Sequence, residues 1–209
     1  MTTDTSEAGL ERLICTALTG HPCDPAPAGG LRERPAAYGA GWLAGNPHDY
    51  DREHCLDLAQ LSAFLHQTQP DTAALLSLDE DTPTRRKFLA RLQGEINKRG
   101  TIDLLRKGLK HQAHRLDLFY GTPSADNAAA NRLYRRNRFS VTRQLHYSRD
   151  NAQLALDLCL FINGLPVVTF ELKTASPNRR PPTPSNSTNG TATPRSPCSG
   201  WAAAQPLRL

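Results

Sequence analysis

The 209-residue sequence has no apolar stretch approaching the ~20 residues of a membrane span, which excludes a protein embedded in a bilayer as helices. A mean hydropathy of −0.52 with 38% apolar residues predicts a soluble chain. The N-terminus, MTTDTSEAGLERL, lacks a basic segment followed by an apolar run, so no secretory signal is expected and the expected compartment is the cytoplasm. The five cysteines (Cys15, Cys23, Cys55, Cys159 and Cys198) are odd in number and none stands in C-x-x-C spacing. Both a disulfide framework and a Cys-based zinc site are therefore disfavoured. No G-x-x-x-x-G-K-[S/T] occurs, so ATP hydrolysis by a P-loop mechanism is excluded. Nor is there an internal repeat. The length suits one domain with a core of its own.

Acidic residues are missing from one region altogether. Thr174 to Leu209 holds four arginines, seven of the sixteen prolines and no acid, whereas residues 1–173 hold 21 basic against 20 acidic residues. The formal charge of +5 thus comes mostly from the tail and says little about nucleic-acid binding by the rest. The composition breaks at Lys173.

Before that break, apolar residues recur at helical spacing. Leu10, Leu13, Ile14, Ala17 and Leu18 predict a first helix with Gly20 as its stop. Residues 1–5 are expected to be flexible, and the Pro/Gly-rich stretch 21–47 reads as loop. A second helix is expected from about Asp51 to His66, with Pro70 just beyond. Thr82-Pro83 opens a third, since proline suits the first helical position, and Phe88, Leu89, Leu92 and Ile96 form its buried stripe up to Gly100. A short amphipathic piece, Ile102 to Lys107, stops at Gly108.

The period then changes from 3.6 to 2. His114 to Tyr120 alternates weakly. Asn137 to Tyr147 alternates clearly, with Phe139, Val141, Leu145 and Tyr147 on one side and Arg138, Thr142, Gln144 and His146 on the other. LALDLCLFI and LPVVTFELK flank Asn163-Gly164, a strong hairpin signal. Helices followed by a strand meander predict an α/β (α+β) domain over residues 6–173.

One acid, Asp157, interrupts an otherwise apolar strand, and its burial without a partner would cost several kcal/mol or force protonation. On the next strand Glu171 and Lys173 stand two apart and share a face. Two carboxylates converging from adjacent strands would form an oxygen-rich site suited to Mg²⁺. A lysine beside them can orient or help deprotonate an attacking water, or neutralise charge at phosphorus. A buried Asp–Lys ion pair is the alternative. The catalytic reading carries a geometric condition. A strict two-residue turn pairs Ile162 with Leu165 and Asp157 with Phe170, leaving Asp157 and Glu171 on opposite faces. A bulge, or a loop of three or five residues, is required to bring them together.

ALDLCLFINGLPVVTFELK resembles the nuclease motif of the R subunit of Type I restriction-modification enzymes, within the PD-(D/E)xK nuclease superfamily. The resemblance extends through GWLAGNPHDYDREHCLDLAQL, RKFLARLQGEINKRGTIDLLRKGLKH, LDLFYGTPS and NRFSVTRQLHYSRDN, covering most of residues 6–173. It implies a mixed central sheet flanked by helices that cuts double-stranded DNA with Mg²⁺ in defence against foreign DNA. Asp157 and Glu171 would be the metal-binding carboxylates and Lys173 the catalytic lysine. It further implies modification and specificity subunits as partners, and an ATP-driven translocase for which this chain has no site. At most weak, unspecific cutting is expected of the fragment.

Glu11 and Glu95 are candidates for further acids near the metal, although an ordinary exposed helix acid is the more economical expectation for Glu11. Arg132, Arg135, Arg136, Arg138, Arg143 and Arg149, with Tyr134, Phe139 and Tyr147 interleaved, form either a phosphate-contacting edge or a solvated face. Arg136, Arg138 and Arg143 are the candidate DNA-backbone contacts. His111 and His114 read as surface residues, with nothing to complete a zinc site.

After ELK the family pattern stops, and TASPNRRPPTPSNSTNGTATPRSPCSGW has no apolar periodicity. Read one base out of frame, SNSTNGTATP can yield VEQYKRDRDP and TASPN can yield NSLTK, text similar to the family's continuation. Residues 174–209 are therefore expected to be an out-of-frame, disordered tail, with a genuine Pro/Ser/Thr-rich linker as the alternative. The functional alternative is a non-catalytic, truncated remnant that at most binds DNA or partner subunits.

Overall fold

A computed structural model describes residue 4 and residues 6–23, 39–124 and 126–173. The expectations for residues 174–209, for the middle of the 21–47 loop and for most of the first five residues lie outside them.

Helix α1 (Glu7–Thr19) begins where the Ser6 hydroxyl accepts from the Gly9 amide and ends at left-handed Gly20. The region expected to be all loop contains strand β1 (Leu43–Ala44) and a 3₁₀ turn (Pro47–Asp49). The helix expected from Asp51 starts only at Leu58. Asp51 Oδ1 accepts from the Glu53 and His54 amides, and this tight turn joins two short strands, β2 (Tyr50–Asp51) and β3 (Leu56–Asp57). Asp57 then caps α2 (Leu58–Thr68) by accepting from the Gln60 amide. Pro70 does not merely follow that helix. It occupies the first position of a further one, α3 (Pro70–Leu76).

Helix α4 (Pro83–Arg99), capped by Thr82 and stopped at Gly100, and α5 (Thr101–Lys107), stopped at Gly108, lie where the spacing predicted them. A hairpin of β4 (Leu109–His111) and β5 (His114–Leu116) follows, so the weak alternation up to Tyr120 yields only a three-residue strand. Helix α6 (Ala128–Tyr134) precedes the long strands β6 (Phe139–His146), β7 (Ala155–Ile162) and β8 (Leu165–Phe170).

The main sheet has the order β1-β6-β7-β8, with β1 parallel to β6 and the other pairs antiparallel. It is a mixed sheet flanked by helices, the architecture expected. On one face, Val141 and Leu158 pack with Cys15 of α1, with Leu160, Phe170 and Leu172 alongside. On the other, Cys159 and Phe161 cluster with Leu145, Leu156 and Tyr50. The largest apolar cluster joins α2 to α5 and the β4–β5 hairpin to Leu165 at the start of β8. No helix among the described residues is long and apolar enough to cross a membrane. Among the described residues, Cys15, Cys23 and Cys159 are free thiols.

Candidate active site

The hairpin between β7 and β8 decides where the acids fall. Asn163 (φ 52°) and Gly164 (φ 81°) are both left-handed, and Ile162 pairs with Leu165, so the turn is the strict two-residue kind. Glycine is required here twice over. A Cβ on Gly164 would lie 2.4 Å from the Asp57 carbonyl oxygen and 2.7 Å from Leu61 of α2. Asn163 is fully buried; its Oδ1 accepts from the Arg138 amide at 2.6 Å and its Nδ2 donates to the Leu118 carbonyl at 2.8 Å and to Asn137 Oδ1 at 3.0 Å. The turn is thereby locked to both β6 and the segment after β5.

Three residues on, the register shifts. Phe161 pairs with Pro166, but Leu160 pairs with Val168, leaving Val167 as the extra residue of a bulge. Pairing then continues to Leu158 with Phe170. One further step in this register brings Asp157 level with Glu171. The bulge supplies the one-residue shift of register that the site requires, with no lengthening of the turn. Asp157 Oδ2 accepts from the Leu172 amide at 2.5 Å, which fastens β7 to the segment carrying Glu171 and Lys173. Leu172 packs toward α1, while Glu171 and Lys173 on either side of it are exposed.

On the other flank of β7, the register with β6 puts Gln144 level with Asp157, at a step where the ladder is interrupted. Gln144 is left-handed (φ 47°), an unusual state for a non-glycine residue in a strand. As a result neighbouring side chains reach the same partner. Arg143 Nε donates to Glu11 Oε2 at 3.0 Å and Gln144 Nε2 to Glu11 Oε1 at 2.8 Å. The single alternation expected along Asn137–Tyr147 therefore breaks, with Val141 on the α1 side and Leu145 and Tyr147 on the other.

Glu11 is 3% exposed, which corrects the expectation of an ordinary surface acid. Glu95 is also buried, but its carboxylate serves Arg91 and Arg99 along α4, not β7 or β8. The arginines separate as well. Arg143 is drawn inward by Glu11 and the Pro22 carbonyl, so it is not a DNA-facing cation. Arg138 is half-buried with its Nε on Gln60 Oε1 at 2.7 Å, and burial holds its pKa below the usual arginine value. Arg149 pairs with Glu53 at 3.6 Å, and Arg132, Arg135 and Arg136 are exposed on and just after α6. The six do not form one edge. His111 is buried edge-on against Phe88, not at the surface, while His114 is exposed.

Gln144 and Asn163 are the residues that sequence reasoning missed. An Asn-Gly pair signals a turn but not a buried amide, and nothing in the sequence marks Gln144 as left-handed.

Residues 64–186 match the family model described as the Type I restriction enzyme R protein N terminus, more than half of the chain. The chain belongs to this family. The match starts within α2 and runs past Lys173, so it neither covers all of the resemblance noted upstream nor stops where the ELK motif ends. No curated protein and no solved structure matches the chain.

Proposed function

We propose that the chain is the nuclease module of this family, a Mg²⁺-dependent phosphodiesterase acting on double-stranded DNA through Asp157, Glu171 and Lys173. The observation that carries the reading is the Val167 bulge, which shifts the pairing so that Leu158 meets Phe170 and leaves Asp157 and Glu171 as the next residues on the two segments. Among the described residues no three His, Cys, Asp or Glu side chains are gathered into a metal cage. Two carboxylates suit an ion that keeps several waters and takes its remaining ligands from a substrate phosphate, as Mg²⁺ does. When bound, such an ion would polarise the phosphate and acidify an attacking water.

The chain's own residues supply the rest. The Leu172 amide fixes one oxygen of Asp157, leaving the other to face the ligand. Lys173, two residues beyond Glu171, would offset charge developing on the scissile phosphate or orient the water. Glu11 acts as a positioning residue, holding Arg143 and Gln144 beside Asp157. Restriction of foreign DNA in concert with modification and specificity subunits belongs to the same proposal, as does the out-of-frame origin of residues 174–209. The latter is checked in the coding DNA, where a one-base change near codon 174 should open a long frame carrying a Walker motif.

The test of catalysis is nicking of supercoiled plasmid at high protein concentration, with Mg²⁺ and with EDTA. Slow nicking by the unaltered chain should disappear with EDTA. It should fall at least about a hundredfold in Asp157→Ala and Lys173→Ala, the loss seen when a charge-stabilising group is removed. Equal cutting by all three proteins would leave only the non-catalytic remnant.

A further inference from the structure

Away from β7 and β8, the C-terminal end of α1 holds two thiols together. Cys15 is fully buried on α1, and Cys23, in the segment that follows, packs partly buried on the same cluster. Thr19 ties the two together, its hydroxyl donating to the Cys15 carbonyl at 2.9 Å and lying 3.5 Å from the Cys23 sulfur. Cys23 is left-handed (φ 53°), and its sulfur lies 3.7 Å from the His21 carbonyl oxygen. Arg143 closes the arrangement by donating to the Pro22 carbonyl at 2.9 Å.

We propose that Cys15 and Cys23 form a reversible dithiol–disulfide pair, a modification site whose co-reactant is a hydroperoxide. The pair is chemically asymmetric, as such a couple requires. The Cys15 thiol beside it, with Thr19 and the nearby charges of Arg143 and His21, pulls Cys23 down to about 6 against the opposing effect of burial. The same contact, together with burial, pushes Cys15 well up. Cys23 is thus the thiolate at neutral pH and Cys15 the proton-bearing partner.

The Cys23 thiolate attacks one oxygen of hydrogen peroxide, forming an S–O bond as the O–O bond breaks. The departing hydroxide takes up the proton that Cys23 gave to solvent on ionising, becoming water, and the sulfur is left as a sulfenic acid. The Cys15 sulfur then attacks the sulfenic sulfur. The S–S bond forms, the S–O bond breaks, and the hydroxyl leaves as water with the Cys15 proton. Two thiols are oxidised and one peroxide is reduced to two waters. An external dithiol reverses the change. Oxidation removes the negative charge beside Arg143, whose guanidinium also serves Glu11. The proposal shares Arg143 with the nuclease reading only as a neighbouring charge, and because its test reads sulfur chemistry and not DNA cleavage, the two can fail separately.

The test is peptide mapping of the full chain. Reduced protein is treated with hydrogen peroxide, its remaining thiols are alkylated, and the tryptic peptide from Leu13 to Arg32, which carries only these two cysteines, is weighed. The expected product is two hydrogens lighter than the dithiol and unalkylated, and dithiothreitol should restore two alkylation sites. Cys159, buried in the sheet, should remain a thiol throughout. In Cys15→Ser, Cys23 should pass on to the sulfinic acid for want of a resolving thiol. Alkylation of both cysteines after peroxide, or a bond from Cys23 to any cysteine other than Cys15, would overturn the proposal.

Discussion

Asp57 shows how much a single carboxylate can carry in this domain. It is 2% exposed, caps α2 through the Gln60 amide, and offers its own amide to the Gly164 carbonyl at 2.9 Å. Burial pushes its pKa from 3.8 to about 6, with Asp49 adding to the rise and the Gln60 amide and Arg138 opposing it. Because the folded-state value is raised, the protonated form is favoured on folding. Stability on this account is greatest below pH ~4 and is lost as pH rises through about 6, worth up to about 3 kcal/mol. Asp57→Asn keeps a capping oxygen without the charge, so urea unfolding should show a stabilised variant at pH 7.5 that lacks this pH dependence. A variant that still loses stability between pH 4 and 6 would place the titration elsewhere. At this scale the sequence is legible only where chemistry is local. Asp157, Glu171 and Lys173 stand out by type and spacing, but the burial of Glu11 depends on Arg143 and Gln144, far away along the chain.

Among the elements, those bounded by strong local signals are the ones whose limits were readable. Helix α4 has Thr82-Pro83 at its start and Gly100 at its end, and it runs between them. Helix α2 starts later than the apolar spacing predicts because Asp51, instead of joining it, spends its carboxylate on the Glu53 and His54 amides and forces a hairpin. The β7–β8 hairpin combines both cases. Asn163-Gly164 announces the turn, and parity alone demands an irregularity, but only the packing of β8 against its neighbours decides that it falls at Val167. Gly164→Ala should accordingly be costly. The left-handed φ and the close approach of Asp57 and Leu61 together predict a loss of roughly 1–3 kcal/mol in denaturant unfolding. An unchanged midpoint would show that the turn does not depend on that contact.

For the molecule as a whole, helix-first, strand-later order was enough to give a mixed sheet flanked by helices. The parallel pairing of β1 with β6 was not, because a two-residue strand inside a Pro/Gly-rich region has no periodicity to detect. That sheet is what converts two acids separated along the chain into one candidate site. The most direct measurement of that conversion is Mn²⁺ binding, followed by electron paramagnetic resonance, for the unaltered chain, Asp157→Asn, Glu171→Gln and the double variant. If both carboxylates hold one ion, each single change should weaken binding about tenfold or more, roughly 1.4 kcal/mol, and the double change should add little further. Undiminished Mn²⁺ affinity in either single variant would contradict a shared metal site across β7 and β8.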